Sequence, residues 1–158
     1  MALTPTDSEQ IVALEAEPVS QVASPDWDGK ICVSVGKLTF TAAGTGTAAM
    51  VKLPAGRKLI FPDLSRIVCP IGTATADLHI GHTAYTEPDG DAVAADDNAF
   101  GDNIDVGGGA IDAAWTLPAA PYFVMDSIGD VDIEVMIDTA NSPAAGDMYL
   151  VVVYAIRK

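Results

Sequence analysis

Between Arg66 and Arg157 the chain has no lysine or arginine, although fifteen Asp and Glu fall in that interval. Residues 1–66 hold six bases and seven acids, and residues 67–158 hold two bases and fifteen acids, so nearly all of the net charge of −14 belongs to the second part. A surface so poor in positive charge repels phosphate backbones and anionic lipid, which argues against nucleic-acid and membrane-surface partners. Aromatic residues are scarce at 6%, which disfavours a large aromatic pocket. Cysteine is limited to Cys32 and Cys69, 37 residues apart with no CxxC and no His beside either. Two such residues in apolar segments read as buried thiols, suited to synthesis in a reducing cytoplasm. Long apolar runs are missing too: none approaches the roughly 20 residues of a membrane helix. The opening MALTPTDSEQ has neither the basic nor the apolar region of a signal peptide.

What is present is a chain of 158 residues, long enough to bury about 70% of its unfolded surface without a metal or disulfide. Residues 1–28 are proline-bearing and acidic. Thr6 and Glu9 have capping-box spacing, and Ile11, Val12 and Leu14 follow. This segment is expected to be an arm, flexible or clasping a neighbouring subunit, ahead of one domain at 29–158.

From Ile31 the hydrophobic period is two. Ile31, Val33 and Val35 share one parity, Leu38 and Phe40 the other, and the slip at Gly36 predicts a β-bulge that keeps the apolar side inward. Strands are expected at 47–53, 58–61, 66–71, 78–80, 122–125, 131–138 and 148–156, with Pro54-Ala55-Gly56 as a turn. Residues 86–110 read as a long loop with a helix-like patch at Ala92–Phe100. Val131, Ile133, Val135 and Ile137 alternate with polar residues, the mark of a strand with one wet face. The last strand differs. Leu150, Val152 and Tyr154 lie on one side and Tyr149, Val151 and Val153 on the other, so both faces need cover. About eight short strands with almost no helix predict an all-β protein, an antiparallel β-sandwich or jelly roll with an extended N-terminal arm.

Catalytic patterns fail on spacing. His79-Ile80-Gly81-His82 followed by Glu87 invites comparison with cupin metal sites, but a three-residue step on a strand sends the two rings to opposite faces unless Gly81 is bulged. The acids Asp89, Asp91, Asp96, Asp97, Asp102 and Asp105 have the oxygen chemistry that Ca²⁺ takes, and the first four are the cation candidates. They lack the EF-hand spacing, and solvated acids are the favoured reading. Asp130, Asp132 and Glu134 stand about 7 Å apart along one strand face and read the same way. There is no GxSxG elbow, and the glycine clusters at 44–46 and 107–109 lack the lysine and helix of a phosphate loop. No catalytic residue, cofactor or metal site is assigned. The residues expected at an interface are Ile11, Val12, Leu14, Tyr149, Val151 and Val153.

Residues 51–66, Val51-Lys-Leu-Pro-Ala-Gly-Arg-Lys-Leu-Ile-Phe-Pro-Asp-Leu-Ser-Arg66, together with Ala76-Asp-Leu-His-Ile-Gly-His-Thr-Ala-Tyr85, resemble small virion structural proteins of tailed bacteriophages. Asp89-Gly-Asp-Ala-Val-Ala94 and Asn103-Ile-Asp-Val-Gly107 carry the same texture. Within that group the chain is most similar to head decoration, or cement, proteins. The resemblance implies a β-rich homo-oligomer, a trimer by preference, on the capsid surface. Its partner there is the major capsid protein, it bridges and stabilises capsid subunits, and it has no enzymatic activity. The alternative from the residues alone is a calcium- or carbohydrate-binding β-sandwich module of a tail or fibre.

Overall fold

Apolar residues repeating every second position form strands that bury one face, and the computed structural model places twelve of them among the described residues, 30–40, 45–69, 77–105, 111–115, 122–138 and 146–156. In chain order these are β1 (Lys30–Phe40), β2 (Gly46–Leu53), β3 (Gly56–Ile60), β4 (Arg66–Cys69), β5 (Asp77–His82) and β6 (Tyr85–Thr86). They continue with β7 (Ala92–Val93), β8 (Asp96–Asp105), β9 (Ile111–Ala114), β10 (Phe123–Ser127), β11 (Val131–Asp138) and β12 (Gly146–Ile156). A 3₁₀ turn at Pro62–Leu64 joins β3 to β4. The architecture is an all-β antiparallel sandwich. Residues 1–28, with Ile11, Val12 and Leu14, lie outside the described residues.

The first sheet is organised around β12. β1 pairs along one edge of it from Lys30↔Ile156 to Phe40↔Gly146. The other edge takes β3 at Tyr154–Ile156 and β4 at Tyr149–Val151, and β10 and β9 extend these two outward. The second sheet runs β2-β11-β5-β8, and β6 with β7 makes a small hairpin. The core lies between the sheets. Leu53, Ile60, Ile67, Ile80, Phe100, Met125, Ile133, Met148, Leu150 and Val152 are wholly removed from solvent. Each such side chain contributes about 1.5–3 kcal/mol of transfer free energy. An aromatic group seals one part of this core: Phe100 lies 5.0 Å from Phe123 and 5.1 Å from Trp115, ring centre to ring centre.

Three expectations need correction. The described part of the expected 86–110 loop, residues 86–105, is not a long loop, and Ala92–Phe100 is not helical. β7 and the ten-residue β8 occupy most of it, and β8 pairs with β5 through two register shifts that accommodate its non-alternating sequence. Tertiary pairing overrides the weak local helix preference. The strand count rises from about eight to twelve for the same reason, with β6, β7 and β9 too short to show a period. Third, β1 carries no bulge at Gly36, since its pairing with β12 keeps one register over all eleven residues. Gly36 instead faces inward where β1 crosses β2, and a Cβ there would overlap the backbone carbonyl of Met50. The change of apolar parity is a change of face, not a slip of the strand.

One buried charge ties the loops at an end of the sandwich. Lys58 on β3 is fully buried, and its Nζ donates to Pro54 O at 2.6 Å, Gly56 O at 2.8 Å and Ser127 Oγ at 2.9 Å. Ser127 Oγ donates onward to Gly129 O at 2.7 Å. Three acceptors match the three protons of an ammonium, which is the condition for tolerating it in a core. Burial still pushes the Lys58 ammonium below the ordinary lysine range, against the opposing pull of Asp126 and Asp130.

Candidate docking face

Paired residues of an antiparallel ladder point to the same side, so the register places Ile31, Val33 and Val35 of β1 beside Ala155, Val153 and Val151 of β12. This is the outer face of the first sheet. Ile31, Val33 and Val35 are 68%, 60% and 61% exposed, while their inward neighbours Cys32 and Ser34 are half-buried. Leu59 of β3, Val124 of β10 and Val68 of β4 continue the apolar surface across the sheet. The expectation that β1 turns its β-branched residues to the core is therefore corrected. β1 lies against the edge of the second sheet at Gly36, so the small residues Cys32, Ser34 and Gly36 go inward and the large ones outward. Tyr149, Val151 and Val153 stand half-buried on this same face. No strand pairs with the free edge of β1 among the described residues.

The charges on this face are matched. Lys37 Nζ lies 2.9 Å from Asp147 Oδ2, and Thr39 Oγ1 donates to Asp147 Oδ1 at 2.7 Å. Hydrogen bonding to Asp147 raises the Lys37 ammonium above its usual range, and Lys37 followed by Thr39 holds the Asp147 carboxyl below its own. Lys37 also sits 5.8 Å from the centre of the Tyr149 ring. Arg66 clasps Asp112 through Nε to Oδ1 at 2.6 Å, and its Nη2 donates to the Asp112 carbonyl at 3.0 Å. Arg57 stands in register with Asp126. Two of these bases are ion-paired and Arg57 stands only in register with its acid, so among the described residues three bases balance three acids and the face carries no net charge.

The opposite face of the sandwich is not. Residues of the second sheet that alternate with its buried positions include Asp132 and Glu134 on β11, Asp77 on β5, and Asp102 and Asp105 on β8. Lys52, 3.6 Å from Asp132, is their basic counterpart. The charge imbalance visible along the sequence is thus an imbalance between two sheets.

Other candidate residues are dispersed. β5 pairs with β11 without a bulge, so His79 turns outward, where Nδ1 lies 2.9 Å from Asp102 Oδ1. His82 turns inward, with its ring 5.4 Å from Tyr85 and 6.0 Å from Phe100, and Nδ1 3.0 Å from Thr83 O. Glu87, Asp89 and Asp91 belong to the β6–β7 hairpin, where Glu87 N donates to Asp91 O and Asp91 N to Asp89 Oδ1. Asp96 accepts from Asn98 N at 3.1 Å, and Asp97 is exposed beside it. These aspartates shape turns and a strand entry. Among the described residues no three His, Cys, Asp or Glu side chains converge as a metal-binding group. Gly81 matters for packing: a Cβ there would overlap the backbone of Asp96 and Asp97, which cross directly over β5. No helix among the described residues is long and apolar enough to span a membrane.

No family model and no curated protein matches the sequence. Solved structures do. A chain of the cyanophage Pam1 capsid asymmetric unit is 17% identical with a TM-score of 0.58, and the match covers 98% of this chain and 100% of that one. A chain in the structure of infectious bursal disease virus, Gx strain, is 13% identical with a TM-score of 0.51, over 81% of this chain and 32% of the longer viral one. At these identities the likeness is one of fold: the described residues form a sandwich like that of a chain from a phage capsid.

Proposed function

We propose that this chain is a structural protein of a phage virion, which decorates the capsid surface and stabilises it by bridging major capsid subunits. The observation that carries the reading is the end-to-end fold match with a phage capsid chain of the same extent. An adhesive, charge-neutral apolar face set against an acidic one supports it, because that division suits a protein that joins others and stays soluble. The scattering of His79, His82, Glu87 and the aspartates fits a protein with no catalytic task. Assembly into the virion follows synthesis in the host cytoplasm.

Phage capsids assembled from a major capsid protein, without any decorating chain, provide the test. Mixed with the purified chain and pelleted through a sucrose cushion, they are expected to carry it down at a saturable ratio and to withstand higher temperatures before releasing their contents. A chain that stays in the supernatant at every ratio, with the heat resistance of the capsids unchanged, refutes the reading.

A further inference from the structure

We infer that the outer face of the first sheet is a self-contact, on which a second copy of this chain packs face to face about a two-fold axis near Val33. The inference builds on the reading of the protein as a joining component, and it adds a partner for a face to which that reading assigns none.

Three observations select a second copy as the occupant. A chain of net charge −14 repels its own copies wherever its acids prevail. The first sheet's outer face escapes this, since Lys37 and Arg66 are ion-paired there with Asp147 and Asp112, and Arg57 stands in register with Asp126 to balance the third acid. A surface with equal numbers of each sign also meets the requirement of a two-fold contact, in which one patch must complement itself. Size agrees as well. Strands of eleven residues span about 36 Å, and four strand widths span about 19 Å, giving a face of about 700 Å². A standard interface takes about 800 Å² from each partner. Finally, the most exposed apolar row, Ile31, Val33 and Val35, lies on the edge strand, so a two-fold axis there lays the row against its own copy and covers the half-buried Val151 and Val153 of both. The dimer then presents two acidic sheets outward and doubles every other surface, which is what bridging requires.

The test measures mass, in the absence of capsids, by sedimentation equilibrium of the full chain. A particle of two chains is expected, and Val33→Asp, which introduces two unpaired carboxylates into the contact, is expected to weaken it about a hundredfold or more. Because Val33 is already exposed in the single chain, the variant should keep its β-sheet circular dichroism. Should it not, Val33→Ser removes apolar surface without adding charge, and a weakening of about tenfold is expected. Raising salt from low to moderate should tighten association, since it screens repulsion between acidic surfaces while the contact itself is neutral. A monomer, a trimer, a dimer indifferent to both Val33 variants, or a dimer that loosens with salt overturns the inference. Capsid pelleting is scored separately: a monomer that still coats capsids removes the self-contact and leaves the virion role standing, and a Val33-dependent dimer that ignores capsids does the reverse.

Discussion

Replacing Lys58 with Met keeps the length of the stem and removes the ammonium from a fully buried position. The carbonyls of Pro54 and Gly56 then lose their donor, while Ser127 Oγ retains its bond to Gly129 O. Those carbonyls sit in a partly buried turn, so each lost bond takes the lower end of the usual penalty, about 1 kcal/mol. The apolar stem stays packed, and the desolvation that pushes the ammonium below its ordinary range is relieved. The two lost bonds together set an upper bound of about 2 kcal/mol, and the relieved desolvation makes the net loss smaller, read from urea midpoints at an unchanged slope. Lys58→Ala also deletes three buried methylenes, at about 0.8 kcal/mol each, and should fall further.

The pH dependence supplies a signature that a simple cavity lacks. A lysine whose folded pKa is lowered binds fewer protons folded than unfolded once pH exceeds the folded value. Its contribution to stability therefore increases as pH rises from that value toward 10.5, and is flat below it. The gap between the native chain and Lys58→Met should accordingly widen with rising alkalinity. A variant as stable as the native chain, or a gap that narrows over that window, would falsify the account of Lys58 as a desolvated ammonium holding two turns together.

Gly36→Ala places a methyl against the Met50 carbonyl, and β1 must move off β2 to admit it; a loss of about 1–3 kcal/mol is expected in the same urea assay, with Gly129→Ala, which meets open space, as the control. Phe100→Ala removes the ring that links Trp115, Phe123 and His82, and should cost about 3–5 kcal/mol and shift the Trp115 fluorescence; an unchanged emission would show that the indole does not rely on this contact. For Asp147, held below its ordinary range by Lys37 and Thr39, the stabilisation is present above the unfolded carboxyl value and disappears as pH falls through the folded one. Asp147→Asn should flatten that acid limb of the stability profile, and an identical limb in both proteins rules out the linkage.

Much of the sandwich was legible because its strands alternate. Val131, Ile133, Val135 and Ile137 announce an inner face, and Leu150, Val152 and Tyr154 another. β8 was not legible, since Asp96-Asp-Asn-Ala-Phe-Gly-Asp-Asn-Ile-Asp105 has no period, and it becomes a strand only by pairing with β5 across two irregular steps. The docking face was read in half. The two-sided apolar pattern of β12 points to Tyr149, Val151 and Val153, whereas periodicity alone sends Ile31, Val33 and Val35 to the core. Periodicity tells which residues share a side and says nothing about which side is inner. The signal that decides it was in the sequence: the opposite parity, Cys32, Ser34 and Gly36, is made of small residues, as a strand crossing close to another sheet requires.

The arrangement of charge carries a final consequence. If the acids were spread evenly over both sheets, any contact on the first would enclose unpaired carboxylates, at several kcal/mol each. Here Asp147 and Asp112 are ion-paired within the same molecule and Asp126 stands in register with Arg57, so the face can be covered with its charges in balance. Arg66 is the place to test this, because it holds Asp112 by two bonds on the rim of the apolar surface. In the isolated chain Arg66→Gln breaks an exposed pair and should cost at most about 1 kcal/mol of stability. In association it leaves Asp112 uncompensated and the face negative, so self-association should weaken by about tenfold or more and become more dependent on salt. Lys52→Gln changes net charge equally but acts on the acidic sheet, and should leave association nearly unaltered. Equal effects from the two substitutions would mean that total charge governs how copies meet, and that its division between the sheets has no part in it.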